Sequence, residues 1–352
     1  MTPYNYLDLK NRLDPDNMYD AIAGFPGQIA HILEHLLPKA LKYEHPEYQS
    51  VLIAGMGGSA IGADLVRAFT QGICEIPVFV NRNYSIPGWV NNHSLVIASS
   101  YSGNTEETLS CFYQARESGA DCIIVTTGGK LLDLAKEHQL DALIMPAGLQ
   151  PRAALGYSFT TLVLLFTKLG LLPLAVLDDL NRIHPILAEY SKSLQISAED
   201  NPARDFAEQI HNTIPAIYGS DDLTWVAALR LRGQLAENAK MMALHHHIPE
   251  QNHNEIEGWT CNEDLLKKMS IIWLRDAEDS EQIQNRMDIT SELLAPRAGC
   301  SLSVDQQGET PLERLLKMIH FSDWISYYAA LLNGVDPTPV DRIGSLKEKL
   351  SA

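Results

Sequence analysis

Short apolar runs alternate with amphipathic segments along the first half of the chain. The apolar runs predict strands at residues 51–54, 76–80, 95–99, 122–127 and 142–146. Amphipathic stretches such as GADLVRAFTQ and EETLSCFYQARESG lie between several of these runs and predict helices. Apolar strands that alternate with helices are typical of a parallel sheet covered on both faces. We therefore predict an α/β layer of the flavodoxin-like or Rossmann-like kind.

The same alternation returns in the second half of the chain. Strands are predicted within PAIYGS, MSIIWLRD and SLSVD, and a long helix is predicted to end at Asn333-Gly334. The second half therefore resembles the first in architecture, although little residue identity is visible. The expected division is an N-terminal arm over residues 1–25, a first sheet domain over 26–170, a helical linker over 171–203, a second sheet domain over 204–335 and a C-terminal helix over 336–352.

The most apolar segment, Phe159–Leu177, could be considered for a membrane span. Lys168, Gly170 and Pro173 interrupt it, whereas a span needs about 20 largely uninterrupted apolar residues. We expect a buried helix ending near Gly170, apolar on enough sides to pack against a second subunit. The N-terminus lacks the apolar core of a signal peptide, so we expect a cytoplasmic protein with no membrane partner.

Charge and cysteine content narrow the class of protein. The 352 residues contain 27 Lys and Arg against 44 Asp and Glu, a net charge of −17. Such a chain repels polyanions, so nucleic acid is a poor candidate partner, although a small anion can bind at a local cluster of amides. The five cysteines are scattered without a CxxC pair, and we expect reduced thiols rather than disulfides or zinc ligands.

Two polar loops that directly follow predicted strands indicate an anion site. GMGGSAIG occupies residues 55–62 and SSYSGNTEET occupies residues 99–108. A strand-to-helix turn of this kind directs backbone N–H groups, hydroxyls and the positive end of a helix dipole to one place, which is typical of phosphate binding. The two loops can converge at the carboxyl edge of a parallel sheet.

Simpler interpretations of these loops stay open. The first could be only a tight turn, because glycine allows close approach in any α/β protein. In the second, Asn104 or Thr105 could cap the following helix, with Glu107 completing a capping box. We favour the anion site because the second loop has more polar side chains than a turn needs. Neither loop contains Lys or Arg, so Ser, Thr and backbone amides would hold the anion.

Three further segments carry candidate chemistry that spacing alone does not establish. Arg152 would face the same sheet edge, or form a surface or interdomain salt bridge. Glu237 and Lys240 are spaced for an ordinary helix-surface pair. Leu244–Trp259 is rich in His and Glu, but it lacks HExxH-type spacing and Pro249 breaks it, so we expect exposed loop histidines and no metal. One such histidine near a carboxylate could instead act as an acid or base.

The motifs occur in an order that resembles a known family. GMGGSAIG, SYSGNTEET, PRxxxGY, the ENAK helix, the PExxHNExxGW loop and a terminal DxxxxLK helix together resemble the bifunctional phosphoglucose/phosphomannose isomerases. The first two motifs are shared by sugar-isomerase (SIS) domains generally, whereas HNEIEGW is specific to this family. The resemblance implies two tandem SIS domains. It also implies an aldose–ketose isomerase of hexose 6-phosphates that uses neither a metal nor a redox cofactor.

The resemblance further implies roles for particular residues. Those holding the substrate phosphate would be Gly57, Gly58, Ser59, Ser100, Ser102 and Thr105. Glu237 would move a proton between C1 and C2, and Arg152 would face the developing enediolate. His253 would assist ring opening from the partner subunit of a homodimer, and Lys347 would reach the site from the C-terminal helix. Thr338 lies in the segment expected to meet the end of the sugar that distinguishes glucose from mannose, without an assigned role.

A protein of a different class is the alternative. A non-catalytic sugar-phosphate sensor built from SIS domains would keep Ser59 and the SYSGNT loop without needing Glu237, His253 and Lys347, all of which are present. An amino-sugar synthase would need an ammonia source, and we expect none because no glutaminase domain precedes the predicted pair. A dehydrogenase is disfavoured because no acidic residue ends the strand after the glycine-rich loop. We therefore expect the isomerase.

Overall fold

The structure is a computed structural model that describes residues 4–36, 40–42 and 47–351. Contacts between residues divide the chain into two compact units. The first unit is Gly24–Ala188, and the second unit combines Met1–Ala23 with Glu189–Ala352. The segment expected to be a separate arm thus groups with the second half, and the expected linker is divided between the units. The finer domain limits stay a prediction.

Each unit contains both helices and strands. Among the described residues the helices are α1 (Tyr6–Leu13), α2 (Met18–Ala23), α3 (Phe25–His35), α4 (Gly57–Thr70), α5 (Glu106–Glu117), α6 (Gly129–Glu137), α7 (Leu155–Lys168), α8 (Ala175–Ser193), α9 (Pro202–Ile210), α10 (Trp225–Glu237), α11 (Glu263–Leu266), α12 (Glu281–Leu294), α13 (Pro311–Leu332) and α14 (Asp341–Ser351). The strands of the same residues are β1 (Ser50–Ala54), β2 (Val78–Asn81), β3 (Ser94–Ser100), β4 (Asp121–Thr126), β5 (Ala142–Ile144), β6 (Ile214–Ser220), β7 (Leu244–Ile248), β8 (Met269–Arg275) and β9 (Cys300–Asp305).

The first unit is built on a parallel sheet whose strands, within the described residues, follow the order β2-β1-β3-β4-β5. The interior strands β1 and β3 are buried along their whole length, as their apolar sequences predict. The register pairs Ala54 of β1 with Asn81 of β2 and Ala98 of β3. The loops after β1 and β3 therefore leave the sheet side by side at its carboxyl edge.

The apolar segment forms a buried helix, as predicted. Every residue of α7 from Leu155 to Thr167 is buried except Tyr157, and the helix packs against α3 and α4 of the same unit. It ends at Lys168, and Gly170 follows with a φ of +72°. Within the described ranges, none of the helices has both the length and the apolar character that crossing a membrane requires.

The sheet of the second unit repeats the strand arrangement of the first without its last strand. Its order over the described part of the chain is β7-β6-β8-β9, and all pairs are parallel. β6, β8 and β9 confirm predicted strands. The expectation of a loop at Leu244–Ile248 is wrong, because this segment pairs with β6 as an edge strand. An edge strand needs no continuous apolar sequence, so three consecutive histidines gave no strand signal.

Two short N-terminal helices pack against α13 of the same unit. Although the sequence predicts a separate arm over residues 1–25, Tyr6, Met18 and Ile22 are buried. Asp14, between the helices, accepts the N–H of Met18 at 2.7 Å and the hydroxyl of Tyr327 on α13 at 3.0 Å. The segment is therefore helical and anchored to the core of the second unit.

Candidate active site

The loop after β1 holds its backbone against the turn that carries Arg152. Gly57, the first residue of α4, has a φ of +50°, a left-handed value that glycine readily adopts. At Gly58 a Cβ atom would lie 2.3 Å from the carbonyl oxygen of Pro151 and 3.1 Å from the backbone nitrogen of Arg152. Only glycine allows this approach, so the loop and the Arg152 turn form one packed feature.

A buried serine joins the two polar loops. Ser59 Oγ, on α4, accepts the backbone N–H of Tyr101, directly after β3, at 3.0 Å. This bond confirms that the two loops converge at the carboxyl edge of the sheet. Within the described residues neither α4 nor α5 has a side-chain cap, so the N–H groups at both helix starts are suited to bind an anion.

Hydrogen bonds within the second loop fix its polar side chains. Ser100 Oγ lies 2.8 Å from Thr105 Oγ1 and accepts the N–H of Gly103 at 3.1 Å. Gly103 has a φ of +71°, and a Cβ atom there would lie 1.8 Å from the carbonyl oxygen of Gly128, so the path of the loop requires glycine. Ser102 is exposed to solvent. The loop thus presents hydroxyl groups from a rigid backbone.

The alternative interpretation of this loop as a capping box is wrong. Thr105 occupies the N-cap position of α5, but its side chain makes no capping hydrogen bond. Asn104 Oδ1 instead accepts the backbone N–H of Lys130 at 3.0 Å, at the start of α6. The hydroxyl of Thr105 is turned towards Ser100, where an anion could meet both.

Arg152 is buried in the first unit, with 4% of its surface exposed. It lies on a single 3₁₀ turn, Pro151–Ala153. Gln28 braces this turn, because its Nε2 donates to the carbonyl of Ala153 at 2.7 Å and its Oε1 accepts the N–H of Gly156 at 2.9 Å. A surface salt bridge is therefore the wrong interpretation of this arginine.

Glu237 ends α10 and lines a cavity of about 700 Å³ in the second unit. The lining comes from the end of α10, the residues after it and the start of α14: Ala236, Glu237, Lys240, Met241, Met242, Val340, Asp341, Arg342 and Ile343. Glu237 is half-buried, whereas Met242 on the same wall is 71% exposed. A half-buried carboxylate in an open cavity of this size is suited to act as a base on a small substrate.

Buried polar contacts attach the last turns of α10 to α13. Arg230 donates two hydrogen bonds to Asp323, at 2.8 and 2.7 Å, and Gln234 donates a third at 3.0 Å. Asn238, the residue after α10, donates to Ser326 Oγ at 2.9 Å. Burial raises the pKa of Asp323, while the Arg230 guanidinium acts in the opposite direction. These contacts fix the helix end that carries the carboxylate.

Lys240 interacts with the carbonyl end of the same helix. Its Nζ donates to the main-chain oxygens of Glu237 at 2.6 Å and Asn238 at 3.4 Å. An ammonium at this place is stabilised by the negative end of the helix dipole. The structure thus adds a capping contact that the spacing alone did not predict.

His253 follows β7 on a pair of short 3₁₀ turns, Glu250–His253 and Glu255–Trp259. Its side chain is exposed. The preceding residue is anchored, because Asn252 Nδ2 donates to Thr290 Oγ1 on α12 at 2.9 Å. The imidazole is therefore presented to solvent from a fixed segment.

Lys347 lies on α14, whose residues 341–350 are all exposed. The helix begins at the Glu237 cavity, where Asp341 is part of the lining. Thr338, just before the helix, is buried, and its N–H donates to Asp336 Oδ1 at 2.8 Å. Lys347 and Glu237 therefore belong to elements that meet at one cavity of the second unit.

The carboxyl edge of the second sheet carries a carboxylate of the chain itself. Ser220, the last residue of β6, donates its hydroxyl to Asp279 Oδ1 at 2.5 Å. Asp279 Oδ2 accepts the backbone N–H of Asp276 at 2.9 Å, and burial raises the pKa of Asp279. Sequence reasoning missed this contact because the two partners are 59 positions apart.

The thiols and potential metal ligands are dispersed. Within the described part of the chain, the His, Cys, Asp and Glu side chains form no group of three or more that could hold a metal ion. All five cysteines are free. Burial raises the pKa of Cys122 to about 12, so its thiol stays protonated at neutral pH.

Sequence comparisons find relatives along almost the whole chain. Residues 199–350 match the family described as bacterial phospho-glucose isomerase C-terminal SIS domain. A protein of Caldicellulosiruptor bescii named bifunctional phosphoglucose/phosphomannose isomerase is 40% identical over 336 residues, which cover 95% of this chain and 99% of that protein. A protein of the same name from Aquifex aeolicus is 33% identical and covers 95% of this chain and 98% of its own length.

A solved structure shares the fold. The C-terminal domain of glucosamine-fructose-6-phosphate aminotransferase from Francisella tularensis has a TM-score of 0.72 and covers 92% of this chain and 98% of its own. The two sequences are 14% identical, so this likeness concerns the fold alone. Together with the two parallel sheets, it confirms the predicted α/β class with tandem SIS domains.

Proposed function

Because this chain belongs to the bifunctional phosphoglucose/phosphomannose isomerase family, we propose that it interconverts glucose 6-phosphate and mannose 6-phosphate with fructose 6-phosphate. The observation that carries the proposal is the similarity, over 95% of the chain, to proteins of that name. The protein is thus an isomerase that moves hydrogen within one substrate, and no redox cofactor takes part in the proposed reaction.

A single intermediate accounts for both substrates. Glucose 6-phosphate and mannose 6-phosphate differ only in configuration at C2, and loss of the C2 proton gives the same cis-enediolate from either. Return of a proton to C1, with a proton shift between the two oxygens, gives fructose 6-phosphate. A positioned base of suitable pKa contributes about 10²–10⁴-fold to such a proton transfer.

We propose that the two loops of the first unit hold the substrate phosphate. The residues assigned to this task are Gly57, Gly58, Ser59, Ser100, Ser102 and Thr105. Support comes from the hydrogen bond between Ser59 and Tyr101, which joins the loops, and from the two helix starts that offer N–H donors. Binding energy at this remote group orients C1 and C2 for reaction.

The remaining assigned residues act on the reacting carbons. Glu237 takes the proton from one carbon and returns it to the other, which its place in a 700 Å³ cavity supports. Arg152 stabilises the charge of the enediolate, an interaction that is strongest near the transition state. His253 assists ring opening, and Lys347 approaches from α14.

We also propose that the protein is a cytoplasmic homodimer in which His253 is donated by the partner subunit. The exposure of His253 supports donation, and the five free cysteines fit a reducing compartment. The apolar segment Phe159–Leu177 gives less support than its sequence suggests, because α3 and α4 of the same unit pack against α7.

The proposal is tested by measuring fructose 6-phosphate formation from each aldose separately, in the presence of EDTA. Wild type is compared with Glu237→Gln, which keeps the shape of the side chain and removes its basicity. Glu281→Gln, an exposed carboxylate at the start of α12, is the matched control. We expect wild type and the control to convert both sugars and Glu237→Gln to lose at least about 10²-fold in turnover while still binding them.

Other outcomes discriminate among the alternatives. Conversion of glucose 6-phosphate alone would remove the mannose activity and direct attention to the segment around Thr338. Loss of turnover in EDTA would contradict the metal-free mechanism. A folded wild type that binds both sugars and converts neither would replace the isomerase with the non-catalytic sensor.

A further inference from the structure

A buried chain of hydrogen bonds lies beneath the segment that carries His253. The indole N–H of Trp259 donates to the Tyr218 oxygen at 3.0 Å. The Tyr218 hydroxyl in turn donates to Glu255 Oε1 at 2.5 Å. Glu255 and Trp259 belong to the HNEIEGW motif, yet neither has a part in the proposed proton transfers.

The direction of these bonds follows from the chemistry of the groups. An indole nitrogen can only donate, so the Tyr218 oxygen accepts from Trp259 and its own proton goes to Glu255. Burial, together with the nearby Glu255 charge, raises the pKa of Tyr218, so the phenol keeps its proton at any physiological pH. A hydroxyl that donates to a carboxylate makes a shorter bond than one between neutral groups, in agreement with the distance between Tyr218 and Glu255.

These hydrogen bonds are anchored to the second sheet. Tyr218 is part of β6 and is 1% exposed, and its ring lies 5.0 Å from that of Trp273 on β8. Trp259 is 4% exposed in the same hydrophobic cluster. Glu255 is therefore tied to the interior of the sheet rather than to another surface segment.

His253 lies between two tied residues. Asn252 on one side is bound to Thr290 of α12 at 2.9 Å, and Glu255 on the other side is bound to Tyr218. Asn254, the residue between His253 and Glu255, accepts the backbone N–H of Glu255 on its Oδ1 at 2.5 Å. Movement of Glu255 would thus be transmitted to the histidine through one residue.

From this arrangement we propose that Glu255 is a positioning residue, which holds His253 in its working orientation through its bond to Tyr218, whose oxygen also accepts from Trp259. The inference rests on the proposed function, in which His253 opens the sugar ring and Glu237 moves the proton. It predicts that loss of the Glu255 bond impairs the ring-opening step and leaves the enolisation step intact.

The two steps are separated by the choice of substrate. Fructose 6-phosphate is mainly a closed ring and needs ring opening. In 5-deoxyfructose 6-phosphate the ring-forming hydroxyl is missing and O6 carries the phosphate, so the molecule stays open. Exchange of its C1 proton with deuterated solvent reports enolisation alone. The variants are Glu255→Gln, Tyr218→Phe and His253→Ala, with Glu257→Gln, an exposed carboxylate of the same motif, as the matched control.

We expect Glu255→Gln to lower kcat on fructose 6-phosphate by about 10–100-fold, the scale of a misplaced catalytic group. Tyr218→Phe should cause a smaller loss in the same direction. Both should exchange the open substrate at near the wild-type rate, which also shows that they fold. In the His253→Ala background, adding Glu255→Gln should cost less than about twofold, because residues that act as a unit are not additive.

Three results overturn the inference. Equal losses on the closed and open substrates would give Glu255 a general structural or direct role. Multiplicative losses in the double variant would make Glu255 independent of His253, and an unimpaired Glu255→Gln would remove its role altogether. Failure of the proposed function is recognised separately, because wild type would then convert neither aldose or His253→Ala would leave turnover of the closed ring unchanged.

Discussion

Two glycines allow the candidate phosphate loops to keep their shape. Gly58 meets the backbone of Pro151, and Gly103 meets the backbone of Gly128, at distances that leave no room for a Cβ atom. The sequence indicated polar, glycine-rich turns after two strands, and the structure confirms that they converge. The sequence could not reveal these close contacts, because each joins segments that are distant along the chain.

We predict that Gly58→Ala weakens substrate binding and stability together. The added methyl group would press on the turn that carries Arg152, and overpacking of this kind costs about 1–3 kcal/mol. We expect KM for glucose 6-phosphate to rise by about tenfold, measured beside the free energy of unfolding in urea. Gly88→Ala, where a Cβ meets nothing within 4 Å, is the control, and equal behaviour of the two variants would contradict the prediction.

A second prediction concerns His320, which is fully buried on α13. Burial lowers its pKa to about 3, against about 6.5 in the unfolded chain. Between these pH values only the unfolded state binds a proton at His320. The contribution of this residue to the free energy of unfolding is therefore fully present above about pH 6.5, and it falls by about 1.4 kcal/mol per pH unit as the pH drops towards 3.

The measurement is the free energy of unfolding at several pH values from about 7 to 4, for wild type and His320→Gln. Glutamine keeps an acceptor for the N–H of Trp324, which lies 3.2 Å from the histidine, and removes the titration. The variant should show a pH slope smaller by about one proton. Identical slopes would mean that His320 is not the group responsible.

Individual elements differed in how well the sequence predicted them. β1 and β3 are buried along their whole length and α7 along nearly all of it, so their apolar runs were sufficient. β7 is an edge strand of mostly polar residues, and its pairing with β6 depends on tertiary contacts that leave no local pattern. The helical state of α1 and α2 escaped notice because each buries only one or two side chains.

The contact between α10 and α13 gives a prediction for Asp323→Asn. The change removes the charge of Asp323 from its buried pair with the Arg230 guanidinium, and breaking such a pair costs about 3–5 kcal/mol. Because Glu237 ends the same helix, kcat should also fall, while the phosphate loops of the first unit keep their affinity. Denaturant unfolding and steady-state kinetics measure the two effects, and a variant as stable as wild type would refute the argument.

For the whole molecule, the proposed exchange of His253 between subunits leads to a mixing experiment. Glu237→Gln and His253→Ala are each expected to keep only a small, measurable fraction of wild-type activity alone. If the histidine crosses the interface, a mixed dimer combines the intact Glu237 of one subunit with the intact His253 of the other. Random mixing places both variants in about half of the dimers, each with one complete site, so about a quarter of wild-type activity should return.

The controls are each variant unfolded and refolded alone, and the readout is fructose 6-phosphate formation after co-refolding. No recovery in a sample that contains mixed dimers would place His253 within its own subunit's site. A monomeric wild type in sedimentation would exclude exchange altogether.

The bond between Ser220 and Asp279 has a consequence for how the two sheets divide their tasks. At the carboxyl edge of the second sheet, the carboxylate of Asp279 accepts hydrogen bonds from Ser220 and Asp276. The polar loops proposed to bind phosphate lie at the corresponding edge of the first sheet. We therefore expect calorimetric titration to show one sugar phosphate bound per chain. Changes at Ser59 should abolish this binding, whereas Ser220→Ala should leave it unchanged. The first sheet domain then binds the phosphate of the ligand, and the second does not need to. Mutations in the second domain can therefore alter the chemistry without loss of phosphate binding. A duplicated domain of this kind is thus a favourable starting point for new sugar-phosphate enzymes.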